Sequence, residues 1–332
     1  MIAAPIRLVF FGSDAIALPL LDWLASREGA ALAKIVAVFT QPDRPVGRGQ
    51  RIASNAIKNW AAARDLPVLQ PEKLTDEVRA QLAGLSPDLS LVMAYGHIFR
   101  DPFIATPRLG TLNLHTSLLP KYRGASPIQT AIASGERESG VTLMRIVREL
   151  DAGPLADCER VAIAPLDTAL DVEAKLAAAS VPLVARAFAR LAAGTLRFDE
   201  QAHAAATFCR RLERTDGALD FAAPAAGLAA RINGLSPWPA CALSIAGHTV
   251  KIGRADSAVG HETATPGTIL GHDEQGLLVA TGSGVLRLRE LQRPGGRMLA
   301  ASEFLRGFPV SPGMLLPSAP MPSLQSATPF RR

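Results

Sequence analysis

The 332-residue chain is 48% hydrophobic and 20% charged, which is enough for two domains with cores of their own. Its net charge is +5, with 20 basic and 19 acidic side chains in residues 1–189 against 15 and 11 in residues 190–332. The second half therefore suits an anionic partner such as RNA, although compositional scatter explains this charge equally well. Three isolated cysteines and no apolar run of 18 residues argue against a zinc site, a disulfide framework and a membrane span, and favour a cytoplasmic protein.

Strands and helices alternate through the first half of the chain. Strands are predicted over residues 6–11, 33–40, 67–69, 89–94, 109–112 and 141–147. Helices are predicted over residues 14–24, 53–64, 76–85, 127–134 and 167–191. This alternation is typical of an α/β fold with a mostly parallel, doubly wound sheet and helices on both of its faces.

An arginine-containing loop is predicted between the second strand and the next helix. Residues 41–51 contain two prolines, two glycines and three arginines, which are too many interruptions for regular structure. An exposed and mobile loop is therefore expected. Its arginines can bind phosphates through charge and paired hydrogen bonds, but on composition alone a solvated turn is the simpler interpretation.

The most informative stretch follows the apolar run 109–112. Because side chains alternate along a strand, Asn113 and His115 point to the same side. At the carboxyl end of a strand, where open α/β sheets bind ligands, an amide and an imidazole can stabilise a carbonyl oxygen as it becomes an oxyanion. Asp151, in a later strand-end loop, adds a carboxylate that can pair with His115. Taken singly, an Asn–His pair is more often structural, and an aspartate in a turn is usually a cap.

The second half of the chain has a different pattern. Residues 191–207 are small and polar, as in a linker. Beyond them, one helix (222–232) accompanies short strands at residues 241–245, 247–248, 250–252, 267–270, 277–280 and 285–291, which predicts a small antiparallel barrel within residues 208–318. Trp238 is expected to pack between that helix and the barrel, and residues 319–332 are expected to form a disordered tail.

Several motifs together resemble the folate-dependent formyltransferases, and most closely those that act on methionyl-tRNA. They are Asn-x-His-x-Ser-Leu-Leu-Pro at 113–120, Tyr122-Arg123-Gly124, Pro127-Ile128, Gly140-Val141-Thr142 and Asp151-x-Gly153. The resemblance extends over residues 6–316 and implies a Rossmann-like, formyltransferase-type catalytic domain at 1–190, followed by an OB-like, tRNA-binding β-barrel domain. Three features depart from the family pattern: the first turn, Gly12-Ser13-Asp14-Ala15-Ile16, stands where Gly-Thr-Pro-x-Phe is common, Thr116 stands where a smaller residue is usual, and the turn 293–297 has fewer basic residues.

The resemblance implies transfer of a formyl group from 10-formyltetrahydrofolate to the α-amino group of charged initiator tRNA, by a monomer without a metal. The implied catalytic residues are Asn113, His115 and Asp151. Contacts to the folate co-substrate are implied at Tyr95, Gly96, Ser117, Leu118, Leu119 and Pro120. Contacts to tRNA are implied at Arg44, Arg48, Arg51 and Arg297, with Arg48 the best match to the family's key arginine.

Other functions share part of this pattern. A formyltransferase acting on a nucleotide-linked amino sugar would have the same three catalytic residues, but the basic loop and the basic second half argue against it. A purine-pathway formyltransferase is expected to be shorter, and a formyltetrahydrofolate hydrolase is expected to carry a preceding regulatory domain. An RNA-binding module with an inactive enzyme core is a different class of function, and the intact Asn113, His115 and Asp151 argue against it.

Overall fold

The computed structural model describes residues 4–46, 49–258, 260 and 264–330. The strands in these residues are β1 (Ile6–Gly12), β2 (Ala33–Phe39), β3 (Arg44–Val46), β4 (Arg51–Ala53), β5 (Val68–Leu69), β6 (Leu89–Met93), β7 (Thr111–His115), β8 (Arg123–Gly124), β9 (Glu138–Arg145), β10 (Leu155–Ala162), β11 (Phe208–Cys209), β12 (Cys241–Ile245), β13 (His248–Ile252), β14 (Ala255–Ala258), β15 (Ile269–His272), β16 (Leu277–Ala280), β17 (Val285–Leu288), β18 (Glu290–Gln292), β19 (Leu299–Ala300) and β20 (Gln325–Ser326). The α-helices are α1 (Leu18–Ala25), α2 (Arg27–Leu32), α3 (Ala56–Ala62), α4 (Asp76–Gly84), α5 (Asp101–Ile104), α6 (Pro127–Ala133), α7 (Ala169–Ala192), α8 (Ala225–Leu235) and α9 (Ala301–Gly307).

The chain divides into two compact units. The first unit comprises Met1–Arg123, Gly140–Val161 and Ala174–Ala206, and the second comprises Gly124–Ser139, Ala162–Glu173 and Thr207–Arg332. Each unit thus draws on several stretches of the chain, which local composition does not reveal. The predicted boundaries of 1–190, 191–207, 208–318 and 319–332 stay predictions. Across the described residues, no helix combines the length and apolarity needed to cross a membrane.

The first unit is built on a seven-stranded sheet with the order β10-β9-β7-β6-β1-β2-β5. The strand pairs from β5 through β2, β1 and β6 to β7 are parallel, and β9 runs antiparallel to β7. The mostly parallel sheet predicted from the sequence is therefore confirmed. Its central strands consist almost entirely of buried apolar residues, because a sheet covered by helices leaves no face for polar side chains.

An aromatic cluster fixes one face of this sheet beside the ends of β1 and β6. Phe11 is fully buried and stacks on Phe39 with ring centroids 4.6 Å apart. The rings of Tyr95, Phe99 and Phe103 pack edge-on against Phe11. Truncating a buried phenylalanine of this kind typically costs about 3–5 kcal/mol, so the cluster contributes strongly to the stability of the first unit.

The arginine-containing stretch is a hairpin rather than a loop without regular structure. Strand β3 pairs antiparallel with β4, and Pro45 faces Ile52 in the register. Proline is tolerated there because a two-stranded ribbon has outer edges where no N–H is required. The expectation of an irregular loop over the whole of 41–51 was therefore wrong, and Arg48 lies outside the described residues.

The second unit contains two four-stranded sheets, ordered β12-β13-β18-β19 and β14-β17-β16-β15. Neighbouring strands in these sheets pair antiparallel. Helix α8 packs on β14 and β17. Leu228, Ile232 and Leu243 belong to its continuous apolar core. This β-rich unit follows the α/β sheet as the fold prediction required. Burial also raises the pKa of the Cys241 thiol to about 12, so that this cysteine is inert at neutral pH.

Three segments differ from their sequence-based descriptions. Within the predicted linker 191–207, Asp199 forms an antiparallel bridge with Leu155, and Gln201 is buried. Within the predicted disordered tail, β20 pairs with β11 and Leu324 is buried in the core of the second unit. Trp238, which was expected to be packed, is 52% exposed. The bridge and the β11–β20 pair depend on partners distant in sequence, which local composition cannot reveal.

Candidate active site

Strand β7 brings Asn113 and His115 to the same side of the sheet. The strand is inserted between parallel β6 and antiparallel β9, where Asn113 lies opposite Val92 on one neighbour and Met144 on the other. Two residues further on, His115 is the last residue of the strand. The predicted site thus lies at the carboxyl ends of the parallel strands, which is the usual ligand-binding edge of such a sheet.

The two ring nitrogens of His115 face different partners. Its Nε2 lies 2.9 Å from the main-chain oxygen of Tyr122, and its Nδ1 lies 3.7 Å from Oδ2 of Asp151. A carbonyl oxygen only accepts hydrogen bonds, so Nε2 carries a hydrogen and donates it to Tyr122. The histidine and aspartate side chains are only 7% and 12% exposed. The nitrogen that faces the carboxylate, and that can exchange a proton with the reacting atoms, is therefore Nδ1.

Both partners of His115 have unusual backbone conformations. Tyr122 has φ of 59° and Asp151 has φ of 51°, although neither residue is a glycine. Left-handed backbone in such residues costs about 1–2 kcal/mol and persists only where the surroundings enforce it. Clusters of this strain are common at functional sites.

Two glycines of the motifs, Gly140 and Gly153, lie where a larger residue would clash with its neighbours. A Cβ on Gly153 would lie 2.0 Å from the main-chain oxygen of Arg145, so the turn that carries Asp151 could not close around a larger residue. A Cβ on Gly140 would lie 2.4 Å from Cδ2 of Leu118. These two positions therefore allow the 113–120 segment and the Asp151 turn to pack closely.

The amide of Asn113 differs from the other polar groups of the site. Its side chain is half-buried and makes no hydrogen bond to any other described residue. A side-chain amide has two N–H donors and an acceptor oxygen. Asn113 therefore keeps its full donor capacity for a ligand, at the position where the oxyanion donor was predicted.

The Ser117–Pro120 segment is fixed by internal hydrogen bonds. Ser117 is fully buried, and its Oγ donates to the main-chain oxygen of Lys121 at 2.7 Å. Thr142 donates through Oγ1 to the main-chain oxygen of Ser117 at 2.7 Å and accepts from the N–H of Leu119 at 3.3 Å. The Leu119–Pro120 peptide bond is cis. The Ser117 hydroxyl thus shapes the loop, and the half-buried surfaces of Leu118 and Pro120 remain for a ligand.

Tyr95 and Gly96 present backbone rather than side chains at their strand end. The Tyr95 ring is buried in the aromatic cluster, and burial raises the pKa of its phenol well above the usual value. The main-chain oxygen of Tyr95 accepts from Nε2 of Gln41 at 3.1 Å. Gly96 is exposed and has φ of 85°, a conformation that favours glycine. The accessible polar groups of this pair therefore belong to Gly96.

The predicted tRNA-binding arginines fall in different parts of the chain. Arg44 and Arg51 are exposed on the β3–β4 hairpin of the first unit. The base of the hairpin is fixed by Asp43, which pairs with Lys58; hydrogen bonds from Lys58 and Gln70 lower the pKa of that carboxyl. Arg297, in the second unit, is exposed and donates to Oε1 of Glu303 at 2.9 Å.

Two buried polar residues of the site were not among the predicted functional residues. Arg123 and Gln201 are each 5% exposed, and the guanidinium donates to Oε1 of the amide. Burial lowers the pKa of Arg123, and the nearby carboxylate of Asp151 opposes that shift. Arg123 lies in the Tyr122-Arg123-Gly124 motif, which is a sequence signal that could have identified it. Gln201 lies in a stretch of linker-like composition, where no local signal exists.

Within residues 4–46, 49–258, 260 and 264–330, no cluster of three or more His, Cys, Asp and Glu side chains that could hold a metal ion is found. The polar groups that converge near His115 are instead an amide, an imidazole and a carboxylate. That set can donate hydrogen bonds to a developing oxyanion and can exchange protons with a nucleophile and a leaving group.

Two family models match consecutive parts of the chain. Residues 6–188 match the family described as formyl transferase, and residues 211–309 match the formyl transferase C-terminal domain. A methionyl-tRNA formyltransferase of Pseudomonas paraeruginosa is 44% identical over 271 residues, which cover 81% of this chain and 87% of that protein. Other relatives of the same name are 38–44% identical.

Solved structures share the fold at lower sequence identity. WlaRD, a sugar 3N-formyltransferase solved with dTDP and 5-N-formyl-THF, is 17% identical with a TM-score of 0.64, over 87% of this chain and 97% of that chain. HypX from Aquifex aeolicus is 16% identical with a TM-score of 0.59, over 93% of this chain. The chain spans about half of HypX, 49% of its length.

Proposed function

This chain belongs to the formyltransferase family, and within it to the methionyl-tRNA formyltransferases; from that premise we propose that it transfers a formyl group from 10-formyltetrahydrofolate to the α-amino group of charged initiator tRNA. The observation that carries the proposal is the convergence of Asn113, His115 and Asp151 at the sheet edge. The chain also aligns with most of the length of a relative named methionyl-tRNA formyltransferase. The predictions of a monomer and of a cytoplasmic location stay predictions.

The residues present fit a formyl-folate co-substrate. Asn113 offers an amide whose donors are not used by the described protein, and Gly96 offers exposed backbone one strand away. Leu118 and Pro120 offer half-buried apolar surface. When bound, the folate supplies the activated formyl group, and these residues orient it.

In the proposed reaction, Asn113 stabilises the developing negative charge, and His115 and Asp151 transfer protons. An α-amino group titrates at about 7.7–8.0, so roughly a tenth to a fifth of it is neutral and nucleophilic at pH 7 without further activation. As it attacks, negative charge develops on the formyl oxygen, and the Asn113 amide donates to that oxygen. One such donor contributes roughly 2.7–4 kcal/mol to stabilising the transition state.

Asp151 and His115 accept and donate one proton each during the transfer. Asp151 takes the proton that the amine loses, directly or through water, and protonated His115 supplies through Nδ1 the proton that nitrogen N10 needs as its bond to the formyl carbon breaks. The two side chains lie 3.7 Å apart, so a small approach of the carboxyl to the imidazole returns the proton after each turnover. Tyr122 keeps the hydrogen on Nε2, which leaves Nδ1 for this exchange.

The tRNA contacts in the proposal are Arg44, Arg48 and Arg51 in the first unit and Arg297 in the second. Exposed guanidiniums bind phosphates with little need for a preformed pocket, so the exposure of Arg44 and Arg51 supports this role. An amino-sugar substrate, in contrast, gives no reason for exposed arginines on this hairpin.

Single-turnover transfer of labelled formyl from 10-formyltetrahydrofolate tests the proposal. Charged initiator tRNA and a UDP-amino sugar are supplied in parallel reactions. The expected result is label in the tRNA alone. Label in the sugar alone would overturn the substrate assignment while keeping the catalytic residues, and no label in either would overturn formyl transfer itself.

A further inference from the structure

The side-chain amide of Gln201 binds two segments of the first unit that hold His115. Its Nε2 donates to the main-chain oxygens of Asp151 at 2.9 Å and of Gly153 at 2.7 Å. Its Oε1 accepts from Nη2 of Arg123 at 2.6 Å and from Nε of Arg123 at 3.2 Å. Because Gln201 is buried, water competes little for these hydrogen bonds.

These two segments carry the strained partners of the His115 ring. Tyr122 accepts from Nε2, Asp151 faces Nδ1, and both have positive φ. Gln201 contacts Asp151 directly and reaches Tyr122 through its chain neighbour Arg123. A single buried amide therefore connects the two ends of the arrangement that fixes the ring.

The position of Gln201 in the chain makes this connection unexpected. It lies after α7, in the stretch where Asp199 pairs with Leu155 as an isolated bridge. That bridge holds the stretch beside β10, the strand that follows the Asp151 turn. The Gln201 stretch is thus held next to the Asp151 turn by main-chain hydrogen bonds as well as by the amide.

We infer that Gln201 is a positioning residue for formyl transfer, which sets the Asp151 carboxylate and the Tyr122 carbonyl at the two nitrogens of His115. This inference rests on the proposed function of the site. Gln201 acts through Asp151 and Arg123, and its own amide is occupied by the protein. Glutamate at this position can still accept from Arg123 but cannot donate to the two carbonyls, and methionine, of similar shape, can do neither.

Single-turnover formylation at saturating tRNA and folate tests the inference. We expect Gln201→Met and Gln201→Glu each to lower the rate about 10- to 100-fold, because small displacements of catalytic groups have effects of that size. The apparent affinity for either substrate should change less than about threefold, since the polar atoms of the Gln201 amide are bonded to the protein itself. Rates within about threefold of wild type would overturn the inference.

Asn233 in the second unit provides a matched control. It is also a buried amide, donating to the main-chain oxygens of Ala255 at 2.9 Å and Pro165 at 3.2 Å and accepting from the N–H of Ala255 at 2.9 Å. Asn233→Asp makes the same chemical change as Gln201→Glu. We expect it to reduce stability without changing the single-turnover rate of the folded protein at saturating substrate; an equal loss of rate in both variants would assign the Gln201 effect to general destabilisation and overturn the inference.

A double-mutant cycle separates positioning from an independent contribution. If Gln201 acts through Asp151, then Gln201→Met should lower the rate less than about threefold further in an Asp151→Asn background. Full additivity of the two losses would show that Gln201 does not act through Asp151.

A readout without substrate keeps the inference distinct from the proposed function. In ¹⁵N-labelled protein, the ring N–H signal of His115 reports the hydrogen bond from Nε2 to Tyr122. We expect this signal to shift in Gln201→Met and to stay in place in Asn233→Asp. An unchanged signal in both variants would overturn the inference even if wild type is active, whereas a wild-type protein without formyl transfer would overturn only the proposed function.

Discussion

The carboxylates of Asp151 and Asp216 are both largely buried, and they are used differently. In the second unit, Asp216 is fully buried and accepts from Arg210 Nη2 at 2.5 Å, from Arg210 Nη1 at 2.9 Å and from the N–H of Glu213 at 2.7 Å. In the first unit, Asp151 lies 3.7 Å from His115, longer than a hydrogen bond, beside an Asn113 amide with no partner among the described residues. The first arrangement is closed by its own hydrogen bonds, whereas the second includes the Asn113 amide, whose donors are not used by any described residue.

This contrast teaches how a structural cluster differs from a catalytic one. A buried charge with a purely structural role must be fully compensated by hydrogen bonds and an opposite charge, because an uncompensated buried charge costs several kcal/mol of stability. A site that stabilises a transition state must instead keep donors that are satisfied only when substrate is present. Substitutions in the two carboxylate clusters should therefore have separate effects, on stability in one and on catalysis in the other.

The largest expected effect is on stability in the second unit. Asp216→Asn removes the charge opposite Arg210, and breaking a buried pair of this kind costs about 3–5 kcal/mol. Urea unfolding measures the change. Glu303→Gln, which removes only the exposed partner of Arg297, should cost less than about 1 kcal/mol. Equal losses in both variants would contradict the contrast.

The next largest effect is on catalysis in the first unit. Asn113→Ala should lower the single-turnover rate about 100- to 1000-fold, because it removes the proposed donor to the formyl oxygen. The unfolding free energy should stay within about 0.5 kcal/mol of wild type, since the amide makes no hydrogen bond to the described protein. A variant that is destabilised but catalytically normal would place Asn113 among the structural residues.

Acid should weaken the Asp216 cluster in a defined direction. Burial alone would raise the pKa of Asp216, but hydrogen bonds from Arg210 and Glu213 outweigh burial and hold the pKa below 3.8. A carboxyl whose pKa is lowered by folding contributes stability above its unfolded pKa and loses it as the pH falls through the folded pKa. The stability difference between wild type and Asp216→Asn should therefore be full at pH 6 and shrink progressively below about pH 3.8. A difference that stays constant down to pH 2 would argue against the ion pair.

The smallest effect concerns the surface arginines. Replacing Arg44 and Arg51 together by alanine should weaken tRNA binding about tenfold. A plot of the logarithm of the association constant against the logarithm of the salt concentration should become less steep by roughly one unit for each phosphate that is no longer neutralised. The rate at saturating tRNA should be unchanged, because the hairpin contributes no catalytic group. Binding that keeps its wild-type salt dependence would remove these two arginines from the interface.

Much of the fold and part of the site could be predicted from local sequence. Alternating strands and helices indicated the mostly parallel sheet, and the two-residue spacing of Asn113 and His115 placed them on one side of β7. Both signals are local: hydrophobic periodicity and the alternation of side chains along a strand.

The remaining features depend on interactions between distant residues. The β3–β4 hairpin contains Pro45 and therefore resembles a loop in composition, yet its register tolerates proline. Gln201 is buried because Asp151, Gly153 and Arg123 surround its amide, and none of these lies near it in sequence. The tail near Leu324 is ordered because β11 pairs with β20, more than a hundred residues further along the chain.

Single-turnover formylation of charged initiator tRNA by His115→Ala, compared with wild type at equal concentrations of folded protein, tests the assignment of the site most directly. We predict a loss of about 100- to 10,000-fold, because a positioned acid that supplies a proton to the leaving group contributes that much. Circular dichroism establishes that the variant is folded. A folded His115→Ala protein that formylates within about threefold of the wild-type rate would contradict the assignment of this site.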